Sequence, residues 1–157
     1  MKLELKNIKH TAWASEETHC YQASLYVDGK PVAIVSNDGH GGADRDYPHP
    51  KFKGDYRAQM RDVSRYFSGL RRTAVTEWSP EGMEQCLEFW CADQVNDWLS
   101  ARELKSKLRK EFLFQFADRV GVFAHKTRPS RAAGVAVVLN DLPFDEALSI
   151  WKETANA

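Results

Sequence analysis

A glycine-rich segment around one histidine carries the most unusual set of chemical groups in this sequence. It consists of Asn37, Asp38, Gly39, His40, Gly41 and Gly42. Glycine lets the backbone approach a ligand closely, and successive backbone N–H groups in such a segment can form a concave anion site. His40 could serve as a general base, because histidine titrates near neutral pH. The same composition also suits a structural turn that needs positive φ, so both interpretations stay open.

Acidic and histidine side chains in and after this segment form a candidate metal site. The candidate ligands are Asp38, His40, Asp44 and His49. Their oxygen and nitrogen atoms suit zinc or another divalent ion, but their spacing matches no established metal motif. Cys86 and Cys91 do not extend the set, because residues five apart on a helix point about 140° away from each other. The alternative function is therefore a small enzyme or metalloprotein centred on His40; otherwise no cofactor is expected.

Three arginines recur at four-residue spacing on a predicted helix. Arg57, Arg61 and Arg65 would share one face of that helix, and Arg72 follows shortly after it. Guanidinium groups pair with phosphates and carboxylates, so this face could hold nucleic acid or an acidic protein surface. Basic residues elsewhere that could join it are Arg71, Lys105, Arg109, Lys126, Arg128 and Arg131. A solvated helix face, paired internally or with the acidic segment of a second copy in a homo-oligomer, would explain the same pattern.

Motifs of established catalytic and nucleic-acid-binding folds do not occur in the sequence. There is no Gly-x-Ser-x-Gly nucleophile elbow, no phosphate loop ending in Gly-Lys-Ser/Thr, and no metalloprotease pattern among the five histidines. No zinc finger, aromatic RNA-binding motif or helix-turn-helix is recognisable either. We assign no catalytic residue, and a non-enzymatic role is favoured.

Bulk composition indicates one globular, cytoplasmic domain. The chain has 157 residues, 43% of them hydrophobic, and a formal net charge of zero, which predicts a single domain over 1–157. The three cysteines have no paired spacing, and no charged leader precedes an apolar run, so secretion is not expected. The apolar stretches are far shorter than the roughly 20 residues that span a bilayer, so no membrane partner is expected.

The first third of the chain has the alternation of β-strands. Strands are predicted at 2–9, 21–27 and 32–35, with Asp28 and Gly29 forming a two-residue hairpin turn between the second and third. A long loop is predicted to follow over 37–53, and loops of that length are often functional.

Three helices are predicted next. The first spans about 55–70 with a core stripe, the second spans about 81–99 after an N-cap at Ser79, and the third spans about 101–109 after a bend at Ser100. The stripe of the first helix comprises Tyr56, Met60, Val63 and Phe67. The second helix should be the most buried, because its apolar residues, Met83 among them, cover a wide face.

The last third returns to strands and ends in a helix. Strands are predicted at 112–116, 120–124 and 135–139, and Asn140 or Asp141 would cap the final helix. The whole pattern predicts a single α+β domain in the order β-β-β-α-α-α-β-β-β-α, with an N-terminal antiparallel hairpin sheet.

Two blocks of this sequence resemble small proteins encoded by bacteriophages, prophages and plasmids. One block runs from Glu16 through Leu25 to the glycine-rich Asn-Asp-Gly-His-Gly-Gly segment, and the other is Val-Leu-Asn-Asp-Leu-Pro-Phe-Asp-Glu-Ala-Leu over 138–148. The resemblance implies a phage or mobile-element accessory protein in the host cytoplasm, and it assigns no activity. Host modulation or inhibition of a defence system would fit that origin.

The function predicted first is therefore a non-enzymatic binding protein. Its partner, a protein or a nucleic acid, would be held by the arginine face, with the glycine-rich segment as a further candidate contact.

Overall fold

A computed structural model describes residues 1–72, 82–130 and 134–155. It confirms the predicted α+β class, with antiparallel sheets and three helices. Contacts divide the chain into two compact units, 1–95 and 96–157. Across the described residues, no helix has the length and apolar character needed to cross a bilayer.

A four-stranded antiparallel sheet dominates the first unit, with its strands in chain order. The strands are β1 (Leu3–His10), β2 (Tyr21–Val27), β3 (Lys30–Asn37) and β4 (Arg45–Pro48). The predicted hairpin turn is confirmed, because Asp28 and Gly29 both have positive φ, 47° and 79°, as a two-residue turn requires. The segment between β1 and β2, residues 11–20, is called the connecting segment below, and residues 37–42 are called the glycine loop.

The predicted long loop is interrupted by a strand. β4 pairs with β3 in the register Ala33 to Pro48 and Ser36 to Arg45. Its four residues are all exposed, as expected for an edge strand that buries no side chain. Hydrophobic periodicity could not predict β4, because none of its side chains is buried.

Helix α1 (Tyr56–Phe67) forms within the range that its sequence predicts. Asp55 caps it by accepting the N–H of Ala58 at 3.0 Å. Val63 and Phe67, 1% and 3% exposed, belong to the core, together with alternate residues of β2.

The second and third predicted helices form one continuous helix, α2 (Leu87–Leu108). The predicted bend at Ser100 is wrong, because Leu104 and Leu108 carry the buried side of the helix past it, and burial outweighs the local capping preference of serine. The helix predicted from 81 begins later than expected, because the described residues 82–86 are not helical and α2 starts at Leu87.

Short strand pairing occupies the residues just before α2. β5 (Arg71–Arg72) pairs with β6 (Met83–Glu84), which places Met83 on an exposed strand rather than in a buried helix. The predicted N-cap at Ser79 lies outside the described residues.

The second unit packs the end of α2, a three-stranded sheet and a final helix around one small core. The sheet has the order β8 (Phe123–His125), β7 (Phe112–Phe116), β9 (Val135–Val138), and α3 spans Phe144–Ala155. The buried residues of this core are Leu104, Leu113, Leu139 and Ala147, and Phe114 of β7 is buried as well. The strand predicted at 120–124 is shorter and later than expected.

Asn140 caps a different helix from the predicted one. It lies in a 3-10 turn, Leu139–Asp141, and α3 begins only at Phe144. Its Nδ2 donates to the carbonyl oxygens of Leu108 and Glu111 at 3.1 and 3.0 Å. Its Oδ1 accepts the N–H of Leu113 at 2.8 Å. One side chain therefore ties the end of α2 to the start of β7.

Candidate functional site

Helix α1 presents Arg57, Arg61 and Arg65 to solvent from one face. All three side chains are exposed, while Val63 and Phe67 are buried on the other side. Helix geometry separates successive arginines by about 6 Å along the axis and about 40° around it. The three guanidinium groups therefore follow a strip about 12 Å long, called the arginine face below.

Among the described residues, a carboxylate pairs with the arginine face at one end only. Arg65 donates to Asp62 at 2.9 Å, and the two side chains are 77% and 54% exposed. Exposed pairs of this kind contribute about 0–1 kcal/mol, so a multivalent anion can replace them. Neither Arg57 nor Arg61 forms an ion pair with a described carboxylate. Arg72 lies in β5, and its side chain is outside the described part of the chain.

The glycine loop is organised by one buried amide side chain. Asn37 is 8% exposed, and its Oδ1 accepts the N–H of Gly39 at 2.8 Å and the hydroxyl of Thr18 at 2.7 Å. Its Nδ2 donates to the carbonyl oxygen of Gly42 at 2.8 Å and to Asp44 Oδ1 at 2.9 Å. All hydrogen-bonding groups of the amide are thus used inside the protein.

Three successive backbone amides of the loop, those of Gly39, His40 and Gly41, have partners within the protein. The N–H of His40 donates to Asp38 Oδ1 at 3.4 Å, and the N–H of Gly41 donates to Thr18 Oγ1 at 3.3 Å. The N–H of Gly39 is held by Asn37, as described above. This geometry favours the structural interpretation of the loop over an anion site.

The backbone of Gly39 lies against another segment of the same chain, at a distance that leaves no room for a side chain. A Cβ on Gly39, whose φ is +91°, would lie 1.9 Å from the carbonyl oxygen of Ala14. The Gly39 carbonyl oxygen accepts the N–H groups of Glu16, Glu17 and Thr18. The glycine loop and the connecting segment therefore interlock.

In the first unit, a half-buried carboxylate, Asp44, lies beside two buried groups, the phenol of Tyr21 and the thiol of Cys91. Tyr21 donates its hydroxyl hydrogen to Asp44 Oδ2, and burial, followed by the proximity of Cys91 and Asp44, raises the pKa of Tyr21 far above its ordinary value. Burial and the Asp44 charge raise the pKa of the Cys91 thiol to about 12, against a smaller lowering by the Tyr21 hydroxyl. Cys91 is fully buried and protonated at neutral pH, so it is not a nucleophile.

The predicted metal ligands do not come together. They are Asp38, His40, Asp44 and His49. Asp38 pairs with Arg45 at 3.2 Å, and His49 accepts the N–H of Lys51 on Nδ1 at 3.1 Å. His40 Nδ1 lies 3.2 Å from a Glu16 carboxylate oxygen. Within the described ranges, no three His, Cys, Asp or Glu side chains are grouped so that they could hold a metal ion.

A serine–histidine contact in the connecting segment escaped sequence analysis. Ser15 Oγ lies 3.2 Å from His10 Nε2, donates to the carbonyl oxygen of Thr11 at 2.9 Å, and accepts the N–H of Cys20 at 2.9 Å. With its hydrogen given to Thr11, the hydroxyl accepts from both His10 and Cys20, which uses its full capacity. Ser15 therefore closes the segment and is not an activated nucleophile. Nothing in the spacing of His10 and Ser15 signals their contact, which forms across the 3-10 turn Ala12–Ala14 between them.

In comparisons with known proteins, no family model, no curated protein and no solved structure matches this chain.

Proposed function

We propose that this chain is a non-enzymatic binding protein that holds an anionic macromolecule, nucleic acid or an acidic protein surface, on the arginine face. The observation that carries the proposal is the exposure of Arg57, Arg61 and Arg65 along one side of a helix whose other side is buried. A preformed helix keeps the three Cα positions at fixed spacing, so binding carries no cost of ordering the backbone there, which favours association.

The molecule has no net charge, so attraction to a polyanion must come from a local surface of this kind. Lys51 and Lys53 are exposed just before α1 and add positive charge at its start. Two carboxylates lie near that end: Asp55 is the N-cap, and Asp46 accepts the hydroxyl hydrogen of Tyr56. The basic residues on and just before α1 outnumber the acidic ones. The balance of charge around α1 therefore attracts anions.

The functional test is binding to two polyanions of different chemistry, a 20-base-pair DNA duplex and poly-glutamate, at about 50 mM salt. We expect at least one to bind, and Arg57→Glu/Arg61→Glu/Arg65→Glu to weaken that binding by tenfold or more. Fluorescence anisotropy of labelled probes measures both. Which probe binds more tightly identifies the class of partner.

A matched control reverses three exposed lysines of the first unit that are not on α1: Lys2→Glu, Lys9→Glu and Lys30→Glu. It changes net charge by the same amount as the arginine variant. Equal loss in both variants, or no binding of either probe by the wild-type protein, would contradict the proposal.

A further inference from the structure

The second half of α2 carries a basic groove that holds an aromatic ring. The groove has a volume of about 470 Å³. Its lining residues are Trp98, Ala101, Arg102, Lys105, Ser106, Arg109 and Lys110. All four basic side chains among them are exposed, and Trp98 is half-buried. Sequence analysis singled out only Lys105 and Arg109, as scattered basic residues.

Two basic side chains of the groove contact aromatic rings rather than carboxylates. The Arg102 guanidinium lies over the Trp98 indole, with Cζ 5.3 Å from the ring centroid. Lys105 Nζ lies 4.8 Å from the centroid of the Phe144 ring. Cation–π contacts leave the positive charge in place, so both cations remain available to an anion.

The acids of this part of α2 are engaged elsewhere. Asp97 pairs with Lys152 at 2.5 Å, and Glu103 lies 3.9 Å from Lys107. No carboxylate occurs among the described residues that line the groove. The groove is therefore a cationic strip with an aromatic ring at one end.

We propose that this groove binds single-stranded nucleic acid. Cationic side chains that follow a phosphate backbone, combined with aromatic and guanidinium surfaces on which bases stack, characterise sequence-tolerant single-strand sites. A duplex buries its bases in the stack and offers no face to Trp98 or Arg102, and an acidic peptide offers no planar base. The groove is a different surface from the arginine face, because its residues belong to the second unit.

The experiment measures binding of a fluorescein-labelled 12-nucleotide oligothymidine. Trp98→Ala should weaken binding between roughly 5-fold and 100-fold, the range that loss of one stacked base produces. Trp98→Phe keeps an aromatic face and should stay within about threefold of wild type. The matched control is Trp13→Ala, which removes the same side chain from an 88% exposed position in the first unit and should leave affinity unchanged. The melting temperature of each variant shows whether it is folded.

A second arm tests the charges. Arg102→Gln/Lys105→Gln/Arg109→Gln should lower the slope of log affinity against log salt by about 2, because each single-strand phosphate contact contributes about 0.7. In the same assay, Trp98→Ala should weaken binding by the same factor in the arginine-face variant as in the wild-type protein. This holds even if the arginine substitutions themselves weaken binding.

Three results would overturn the inference. They are equal affinities for Trp98→Ala and Trp13→Ala, tighter binding of a 12-base-pair duplex or of oligoglutamate than of the single strand, and no measurable binding of the oligonucleotide. Loss of the arginine-face effect alone would refute the proposed function and leave the groove standing.

Discussion

At the scale of single residues, the glycine loop contains side chains whose types suggest a ligand site but whose hydrogen bonds are made within the protein. Asn37, His40 and Asp44 look like ligands when only their types are known. In the fold, the side-chain amide of Asn37 makes four hydrogen bonds within the protein, and Asp44 accepts a hydrogen bond from the buried Tyr21. The loop was recognisable as unusual from its sequence. Its distant contacts were not, because Thr18, Glu16 and Tyr21 lie 19 to 24 residues before the side chains that they contact, Asn37, His40 and Asp44.

Substitution of Gly39 tests this structural role. Gly39→Ala places a Cβ 1.9 Å from the Ala14 carbonyl oxygen at a φ of +91°, so we expect a loss of about 2–5 kcal/mol in the free energy of unfolding, from backbone strain plus overpacking. Gly42→Ala is the matched control, because nothing lies within 4 Å of its Cβ and its φ is not positive. Urea denaturation measures both. Equal stabilities for the two variants would show that the loop does not interlock as described.

Alkaline pH tests the buried thiol. Burial raises the pKa of Cys91 to about 12 from its ordinary 9.0, so the folded protein binds more protons than the unfolded chain between those values. The free energy of unfolding must therefore fall as pH rises through that window. Cys91→Ala should be less stable at pH 7 by about 1 kcal/mol, since it loses one small buried group, yet decline less steeply from pH 9 to 11. Urea denaturation at several pH values gives both slopes, and parallel slopes would refute the assignment.

At the scale of elements, local sequence patterns predicted those helices, strands and turns whose formation depends on side-chain burial or on turn residues. The Asp28–Gly29 hairpin, the α1 core stripe and strand β7 follow from alternation, positive φ and helical spacing. The continuity of α2 did not, because Ser100 followed by Glu103 has the spacing of a capping box, whereas the buried Leu104 beyond it decides the outcome. Strand β4 was missed because it buries nothing.

Asn140 provides a test of how the second unit is held together. Asn140→Ala leaves the Leu113 N–H and two carbonyl oxygens without this partner, so we expect a loss of about 2–4 kcal/mol in stability. The neighbouring Asp141→Ala removes only an exposed pair with Arg128 and should cost about 0–1 kcal/mol. Thermal unfolding followed by circular dichroism compares them. A similar cost for both would mean that the Asn140 hydrogen bonds contribute little.

At the scale of the whole molecule, the formal net charge is zero although each of the two units carries a cationic surface. The arginine face belongs to the first unit and the α2 groove to the second. The division into units was not predictable, because its boundary falls inside α2, where no linker composition marks it. The arginine face was predictable from four-residue spacing alone, whereas the groove required side-chain positions to bring Trp98 and Arg102 together.

Arginine footprinting tests the central claim most directly. The protein is labelled with phenylglyoxal, with and without a saturating polyanion, and labelling at each arginine is measured by mass spectrometry. Arg45 and Arg119, both exposed and paired with neighbouring acids, serve as internal references. We predict that the polyanion protects Arg57, Arg61 and Arg65 and leaves the references unchanged. Unchanged labelling of all three while the polyanion is bound would contradict the account.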